Sequence, residues 1–496
     1  MKKIGEFKRL IVLCFSFITI ASESLVYVYF WYHNYSIQIR SNLWFTERGH
    51  WLAIGIYVLL LFAFSTMYGG LNIGYLKSSE VIFSQIFSIV GTNVITYGEN
   101  SLMNWGLMYA PTYVKMTIYQ AAVSFACSAF FYWLYRQIFP PRKLLLVHGE
   151  RPYDDLIRKF ESRRDKYEIC SCIDIREGLD RVCWEATQRY DAVVIGDIDV
   201  SSRNKIFKFC YGEGIRTYIL PKLSDVILSG AEEMHIFDTP MFLTREYTLR
   251  IEERFFKRLI DIVLSLILLV ITSPFMLLTA LAVKLYDGGP ILYKQVRCTE
   301  NMREFQIMKF RSMRVDAEKD GVARLAQKHD DRITPVGRVI RKCRLDELPQ
   351  LINILKGDMS FIGPRPERPE IIKQYMEVMP EFAFRTKVKA GLAGYAQVYG
   401  KYNTTPYDKL KLDLTYIENY SIWLDLKLML LTLKILFWPD STEGVEAEQV
   451  TAFKEEMYRQ REVDRIEEKG QQKGPETVMA EKKDEEKVPE AEGRES

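Results

Sequence analysis

The stretch "KRLIDIVLSLILLVITSPFMLLTALAVKLYDGGP", Lys257 to Pro290, decides where the second half of the chain lies. It is apolar from Ile262 to Val283, long enough to span a bilayer, for which about 20 residues suffice. Ser273 and Pro274 interrupt it near its centre. Pro274 removes a helical hydrogen bond and bends the helix, and Ser273 can help satisfy the freed carbonyls. Lys257 and Arg258 precede the apolar run; Lys284, Lys294, Arg297, Lys309 and Arg311 follow it. Positive charge on both flanks keeps both ends on the cytoplasmic side, which a re-entrant helix over residues 258–286 permits and a simple span does not. The alternative, a kinked fifth span, would put the following domain outside, away from cytosolic nucleotides.

Upstream, four apolar stretches, near Leu10–Tyr32, Trp51–Met67, Val81–Tyr97 and Val114–Phe139, approach spanning length, the second and third only just. Lys2, Lys3, Lys8 and Arg9 precede the first, and Arg142 and Lys143 follow the fourth. An even number of spans with both ends cytoplasmic satisfies the positive-inside rule. The first stretch is too long, and lacks the small-residue cleavage site, for a removed signal peptide. Glu23 within it is costly in lipid and is expected to face another helix or the interface. The 496 residues are 48% hydrophobic with net charge +3, so the chain meets lipid and no global basic field argues for nucleic acid. Eight scattered cysteines form no C-x-x-C pair and read as free thiols. His329 is the sole histidine after residue 240, which leaves little for a histidine triad or zinc site there. Chemistry in the C-terminal half must use carboxylates and cations.

After "FPPRK", the runs "KLLLVH", "YEICSCIDI", "DAVVIGDI" and "GIRTYILP" alternate with polar helical stretches, a small Rossmann-like parallel unit. Its first turn, "VHGERPYDD", holds one glycine instead of G-x-G-x-x-G, so close approach to a pyrophosphate is not encoded. Its expected part is organisation, with no catalytic group. From Gly288 to about Pro439 the chain is a basic domain ending in "SIWLDLKLMLLTLKILFW", a core helix or an interfacial one with Lys427 and Lys434 snorkelling. The fold class expected is a membrane α-helical bundle over 1–141, a Rossmann-like α/β domain over 142–250, and an α/β (α+β) monotopic catalytic domain over 251–440 with a re-entrant membrane hairpin. Residues 441–496 form a charged, largely disordered tail.

Within that last domain, "RLDELPQL", Arg344 to Leu351, sets Asp346 beside Glu347. The local reading is capping: Asp346 as N-cap, Glu347 in the first turn, Pro349 early enough to be tolerated. Apolar Leu348, Leu351, Ile352 and Leu355 then mark a helix ending at Lys356-Gly357. Asp346 would stand at its N-terminus, where free amides bind phosphate oxygens. "GPRP" presents Arg365 rigidly between two prolines, a fork suited to phosphate. With Lys309 in "KFRSM", these groups next to a membrane hairpin suggest phosphoryl transfer.

"KRLID", the hairpin "SP", "KFRSM", "DELPQL" with "LKGDMS" and "GPRPERPE", "KAGLAG", "AQV" and "NYSIWLD" follow one another from Phe256 to Trp438. In this order they resemble the bacterial polyprenyl phosphate sugar-1-phosphate transferases, the monotopic phosphoglycosyl transferases. The four spans and α/β unit look like the long members, which prime O-antigen, capsule and exopolysaccharide synthesis. The resemblance implies that Asp346 is the nucleophile toward the β-phosphorus of a UDP-sugar, expelling UMP. Glu347 is the second member of the dyad, orienting Mg²⁺ or activating the undecaprenyl phosphate acceptor. It also implies that Lys309, Arg311, Arg341, Arg365 and Gln397 contact substrate, that Asp346 and Glu347 hold Mg²⁺, and that the active site faces the cytoplasm from the bacterial inner membrane. Membrane lipid is a partner and a homodimer is allowed. Two departures stand out: "CTENM" replaces the usual glycines after "QVR", and "GYAQVYGK" brings Tyr395, Tyr399 and Lys401. Lys401 lacks the bidentate fork of arginine. The rival readings are a non-catalytic membrane sensor or scaffold with a ligand-binding α/β domain, and a direct-displacement glycosyltransferase, which would release UDP.

Overall fold

The computed structural model describes residues 7–39, 47–149, 153–244, 249–315, 317, 330, 332–400 and 404–436. The expected tail from 441 and Lys401 lie outside them, as do residues 150–152 of the "VHGERPYDD" turn. The described residues fall into two compact units, one reaching from the N-terminus to Val226 and taking in Leu430–Lys434, the other running from Ile227 to Met429 and from Ile435 on.

The first unit begins with four helices long and apolar enough to cross a membrane, Lys8–Gln38, Arg48–Tyr68, Ser78–Met103 and Ala110–Ile138. Each contains the apolar core of one expected span and extends beyond it at one end or both. Their interior is polar in one layer: Tyr57 donates to Asn93 Oδ1 at 3.0 Å, and Asn93 Nδ2 donates to Gln120 Oε1 at 2.9 Å. Gln120 Nε2 reaches the backbone oxygen of Glu23 at 3.0 Å. Glu23 is buried among these helices, as its cost in lipid required. Four strands follow, β1 (Arg142–His148), β2 (Tyr167–Asp174), β3 (Ala192–Ile195) and β4 (Arg216–Ile219). They form a parallel sheet in the order β2-β1-β3-β4. The central strands are continuous apolar runs, because a parallel sheet is covered on both faces; Leu144–Val147 and Ala192–Ile195 are fully buried.

The second unit starts with a two-stranded hairpin, β5 (Glu232–Ile236) and β6 (Thr239–Leu243). The long helix Ile251–Asp287 comes next, opened by a capping box in which Glu253 accepts from the Arg250 amide, and closed by Gly288 at φ 69°. It runs through Pro274 as one helix, so the break expected at Ser273-Pro274 is not an interruption of its helical course. Ser273 Oγ instead donates back to the Val270 carbonyl at 2.8 Å, a local bond that accompanies bending. Burial is confined to the two ends, at Lys257, Asp261 and Ser265 and then at Thr279 and Val283, while Val270, Ile271, Leu277 and Leu278 between them are exposed.

Both ends are fastened to the domain that follows. Lys257 Nζ donates to Asp425 Oδ2 at 2.6 Å, to Ile362 O at 2.9 Å and to Tyr416 Oη at 3.0 Å, all out of contact with water. Arg258 donates to the carbonyls of Ile354 and Leu355, each at 2.6 Å. Asp261 accepts from Ser360 Oγ and the Phe361 amide at 3.1 and 3.0 Å. At the far end, Arg311 forms a two-pronged pair with Asp287, one arm at 2.6 Å.

The antiparallel pair β7 (Leu292–Cys298) and β8 (Glu304–Phe310) turns through "CTENM". Asn301 and Met302 both sit in the left-handed region, at φ 55° and 59°. The chain therefore keeps a glycine conformation without the glycines, at about 1–2 kcal/mol for each L residue. β9 (Ser360–Ile362) and β10 (Gly391–Ala393) pair in parallel. The closing helix Ile422–Leu436 buries Asp425 and Leu428 and exposes Trp423, so its face, not its whole girth, is apolar core.

Two stability measurements check this account. Met302→Gly should stabilise the detergent-solubilised protein by about 0.5–1 kcal/mol, read as a higher thermal midpoint, because relief of the left-handed strain exceeds the added chain entropy. Lys257→Met should lower stability by about 3–5 kcal/mol, since Asp425 is left buried and unpaired.

Candidate active site

The acids lie on a turn built by strain and apolar packing. Helix Pro335–Lys342, capped by Thr334 Oγ1 accepting from the Gly337 amide at 2.8 Å, ends two residues before Arg344. Arg344 adopts φ 56°, a left-handed conformation that reverses the chain into the 3₁₀ turn Leu345–Glu347. Leu345 and Leu348, on either side of the acids, pack against the cluster formed by Val283 of the long helix with Phe310 and Ile340. That packing seats the turn on the second half of the membrane-associated helix. The helix proper begins only at Gln350 and makes no side-chain cap. Asp346 thus caps nothing, contrary to the local reading of its sequence; it sits within the turn that leads into the helix.

The two acids then divide their surroundings unequally. Glu347 Oε1 accepts from Lys309 Nζ at 3.1 Å and from Arg365 Nη2 at 2.9 Å, and Arg344 Nη1 stands 3.9 Å from Oε2. These cations hold the Glu347 carboxyl far below the usual carboxylate range, against the opposing effect of burial. Asp346 has the reverse environment. Its Oδ1 is buried with no hydrogen-bond partner, and burial together with the adjacent Glu347 charge pushes its carboxyl up to about 6. Burial lowers the Lys309 ammonium from its ordinary value, with the Glu347 charge opposing that drop.

Arg365 owes its position to backbone packing beneath it. The Gly363 amide donates to Ala393 O and the Gly391 amide to Pro364 O, both at 2.9 Å. A Cβ on Gly394 would stand 2.2 Å from Gly363 O, and one on Gly391 2.1 Å from Gly363 N. Only glycines let β9 and β10 close so tightly around "GPRP". The Arg365 carbonyl also accepts from Arg385 Nη2 at 3.0 Å, and Arg385 in turn pairs with buried Asp413 at 2.8 Å. Glu367, two residues on, takes Lys409 and lies 3.6–3.7 Å from Arg297 and Arg385; these cations pull its carboxyl down to about 2.

The expected residues therefore separate into groups. Asp346, Glu347, Lys309 and Arg365 converge, and the positive charge of Arg341 acts on Asp346. Gln397, on the short helix Tyr395–Tyr399 that follows the Gly363–Gly394 contact, carries a buried Oε1 with no partner. Arg311 is engaged elsewhere: Asp287 and the Pro290 carbonyl occupy its guanidinium, and it secures the end of the long helix. Ser273 and Pro274 lie in that helix's exposed centre. Two contributors escaped the sequence reading, Arg344 and Arg385, and the buried Gln350 amide drew no attention either. Arg344 and Arg385 look like ordinary surface charge in a sequence, and no spacing rule announces them. Gln350 adjoins Pro349 in a helix whose apolar pattern draws attention past it.

Comparison with known proteins places this geometry. Residues 252–439 match the family model described as bacterial sugar transferase. The UDP-N-acetylgalactosamine-undecaprenyl-phosphate N-acetylgalactosaminephosphotransferase of Aeromonas hydrophila is 31% identical over 383 residues, covering 74% of this chain and 86% of the relative. The UDP-glucose:undecaprenyl-phosphate glucose-1-phosphate transferase of Caulobacter vibrioides is 40% identical over 190 residues, 37% of this chain and 71% of its own. The galactosyl transferase CpsE of Streptococcus agalactiae is 42% identical over 161 residues, 30% of this chain and 35% of its own. The first of these likenesses extends well beyond the residues matched by the family model, and the chain belongs to the bacterial sugar transferase family.

Proposed function

We propose that this chain transfers a sugar-1-phosphate from a UDP-sugar to undecaprenyl phosphate, releasing UMP, and so starts a glycan on its lipid carrier. The observation that carries the reading is the asymmetry of the dyad. Glu347 gathers the cations, and Asp346 is left buried with an unpaired oxygen. A desolvated carboxylate beside gathered positive charge is an activated nucleophile for a phosphorus centre. A scaffold has no use for that arrangement, because an orphaned buried carboxylate costs stability.

Asp346 attacks the β-phosphorus, the bond from that phosphorus to the bridging oxygen breaks, and UMP leaves with the bridging oxygen. Lys309 and Arg365, held side by side by Glu347, neutralise the phosphoryl oxygens while this charge moves. An oxygen of undecaprenyl phosphate then attacks the same phosphorus, and the Asp346 carboxylate departs unchanged. Glu347 is held so firmly ionised that it orders cations and takes up no proton. Mg²⁺ fits the donor set: it binds through one or two carboxylates plus substrate phosphates, and Asp346 Oδ1 has no hydrogen-bond partner among the described residues. Asp346 and Glu347 would hold it, and it would supply neutralisation of the leaving UMP.

The acceptor is a lipid, and the fastening of the long helix supports a re-entrant path with both ends cytoplasmic. A straight helix would set Arg258 and Asp287 about 43 Å apart. Yet Arg258 binds Ile354 O, Asp287 binds Arg311, and the two partners are linked through Asn353 Oδ1 accepting from the Met308 amide at 3.0 Å. A bend at Pro274 reconciles these contacts, and the exposed Val270 to Leu278 segment becomes the part dipped into lipid. The site then faces the cytoplasm of a bacterial inner membrane.

Turnover with UDP-glucose and with UDP-N-acetylgalactosamine should yield UMP; UDP as the product would overturn the two-step route. Asp346→Asn should abolish that release and at the same time raise the thermal midpoint. The sign follows from the raised carboxyl: above pH about 6 the fold bears the burial of a charge that the unfolded chain carries in water, a penalty on the order of 2 kcal/mol that the amide lacks. Because the nucleophile must be ionised, kcat/KM of the native enzyme should climb with pH through about 6 and level off above it. In Glu347→Gln the like charge is gone and the freed cations turn to Asp346, so the same limb should move to lower pH while the plateau rate falls.

A further inference from the structure

Gln350 is 3% exposed, and its Nε2 has no hydrogen-bond partner. A buried idle donor costs about 1–3 kcal/mol, so a fold that retains one is paying for something outside itself. Its position says what. The backbone stays right-handed from Leu345 through Leu348 and Pro349 into the helix Gln350–Lys356. Gln350 and Asn353 therefore fall on one face of that helix, one turn apart, and Gln350 stands four residues beyond Asp346. Asn353 shows where that face looks. Its Oδ1 accepts from the Met308 amide at 3.0 Å and its Nδ2 donates to Gln306 O at 2.8 Å, so both its ends are engaged on β8. Lys309, the next residue of β8, is the cation of the dyad. Gln350 thus opens the helix into which the dyad turn leads, one turn before the residue bound to the strand that carries Lys309, and its Nε2 has no hydrogen-bond partner among the described residues.

We infer that Gln350 Nε2 donates to a non-bridging oxygen of the β-phosphoryl group as that group passes from the nucleoside diphosphate sugar to Asp346. The role rests on the two-step reading above and names a further substrate contact for it. The donor does nothing in the free enzyme and is satisfied only when phosphorus is delivered.

Full-length enzyme in detergent, given UDP-glucose or UDP-N-acetylgalactosamine labelled at the β-phosphate and no lipid, reports the step as label captured on protein. Gln350→Met keeps the side-chain length and removes the amide, donor and acceptor together. Its thermal midpoint should equal or exceed that of the native chain, and its rate of capture should fall about 10- to 100-fold. Gln350→Asn, with the donor retracted by one methylene, should lie between the two. Capture by Gln350→Met at the native rate overturns the inference. A midpoint several degrees lower also overturns it, because the donor then has an internal partner. Native enzyme that releases UDP, or captures no label, removes the two-step reading and this contact with it; native capture with an indifferent Gln350→Met removes the contact alone.

Discussion

One buried ammonium holds the second unit together. Lys257 Nζ meets Asp425, Tyr416 and the Ile362 carbonyl at once, so a helix, a strand end and the closing helix share a single charge. Tyr416 closes the group by donating to the second oxygen of Asp425 at 2.7 Å. Such a pair adds little net energy over an apolar substitute, but its geometry tolerates no slippage, since displacement leaves two charges stranded out of water. Arg258 and Asp261, in the next turn, extend the fastening to the end of the dyad helix and the start of β9. The membrane helix and the active-site elements are therefore placed by one run of five residues, "KRLID".

From that frame the chemistry follows by division of charge. Glu347 collects Lys309 and Arg365; Asp346 Oδ1 has no hydrogen-bond partner among the described residues, and burial with the Glu347 charge pushes its carboxyl toward the neutral form. Neighbouring acids are repelled into different roles because both cannot be paired in one small buried space. The arrangement costs stability, because a carboxylate is buried with an oxygen that has no hydrogen-bond partner among the described residues. Arg344 in its left-handed turn and Gln350 with its idle amide belong to the same pattern of local cost at the working end.

Much of this was readable beforehand. The four apolar spans and the parallel strands came from periodicity and composition, which burial enforces directly, and the order of motifs from a family resemblance. Asp346, Glu347, Lys309 and Arg365 were recognisable because acids and cations recurred at turns. What sequence concealed were partnerships. Nothing in the "KFRSM" motif says that Lys309 pairs with Glu347 while Arg311, two residues on, turns to Asp287. Alternation along a strand sends residues two apart the same way only while the strand is regular, and β8 ends at Phe310. The capping signal at Asp346 misled because a 3₁₀ turn carries the same residues as a helix start. The glycine-free "CTENM" turn shows the opposite limit, a conformation kept after its usual residues are gone.

The central claim is that Asp346 carries the sugar phosphate between donor and lipid. Incubating the enzyme with UDP-sugar alone, digesting it and locating the added mass by peptide sequencing in a mass spectrometer tests that claim most directly. The account predicts a phospho-sugar on the carboxylate of Asp346, discharged when undecaprenyl phosphate is added. An adduct on another residue, or complete turnover with no adduct at any time, would contradict it.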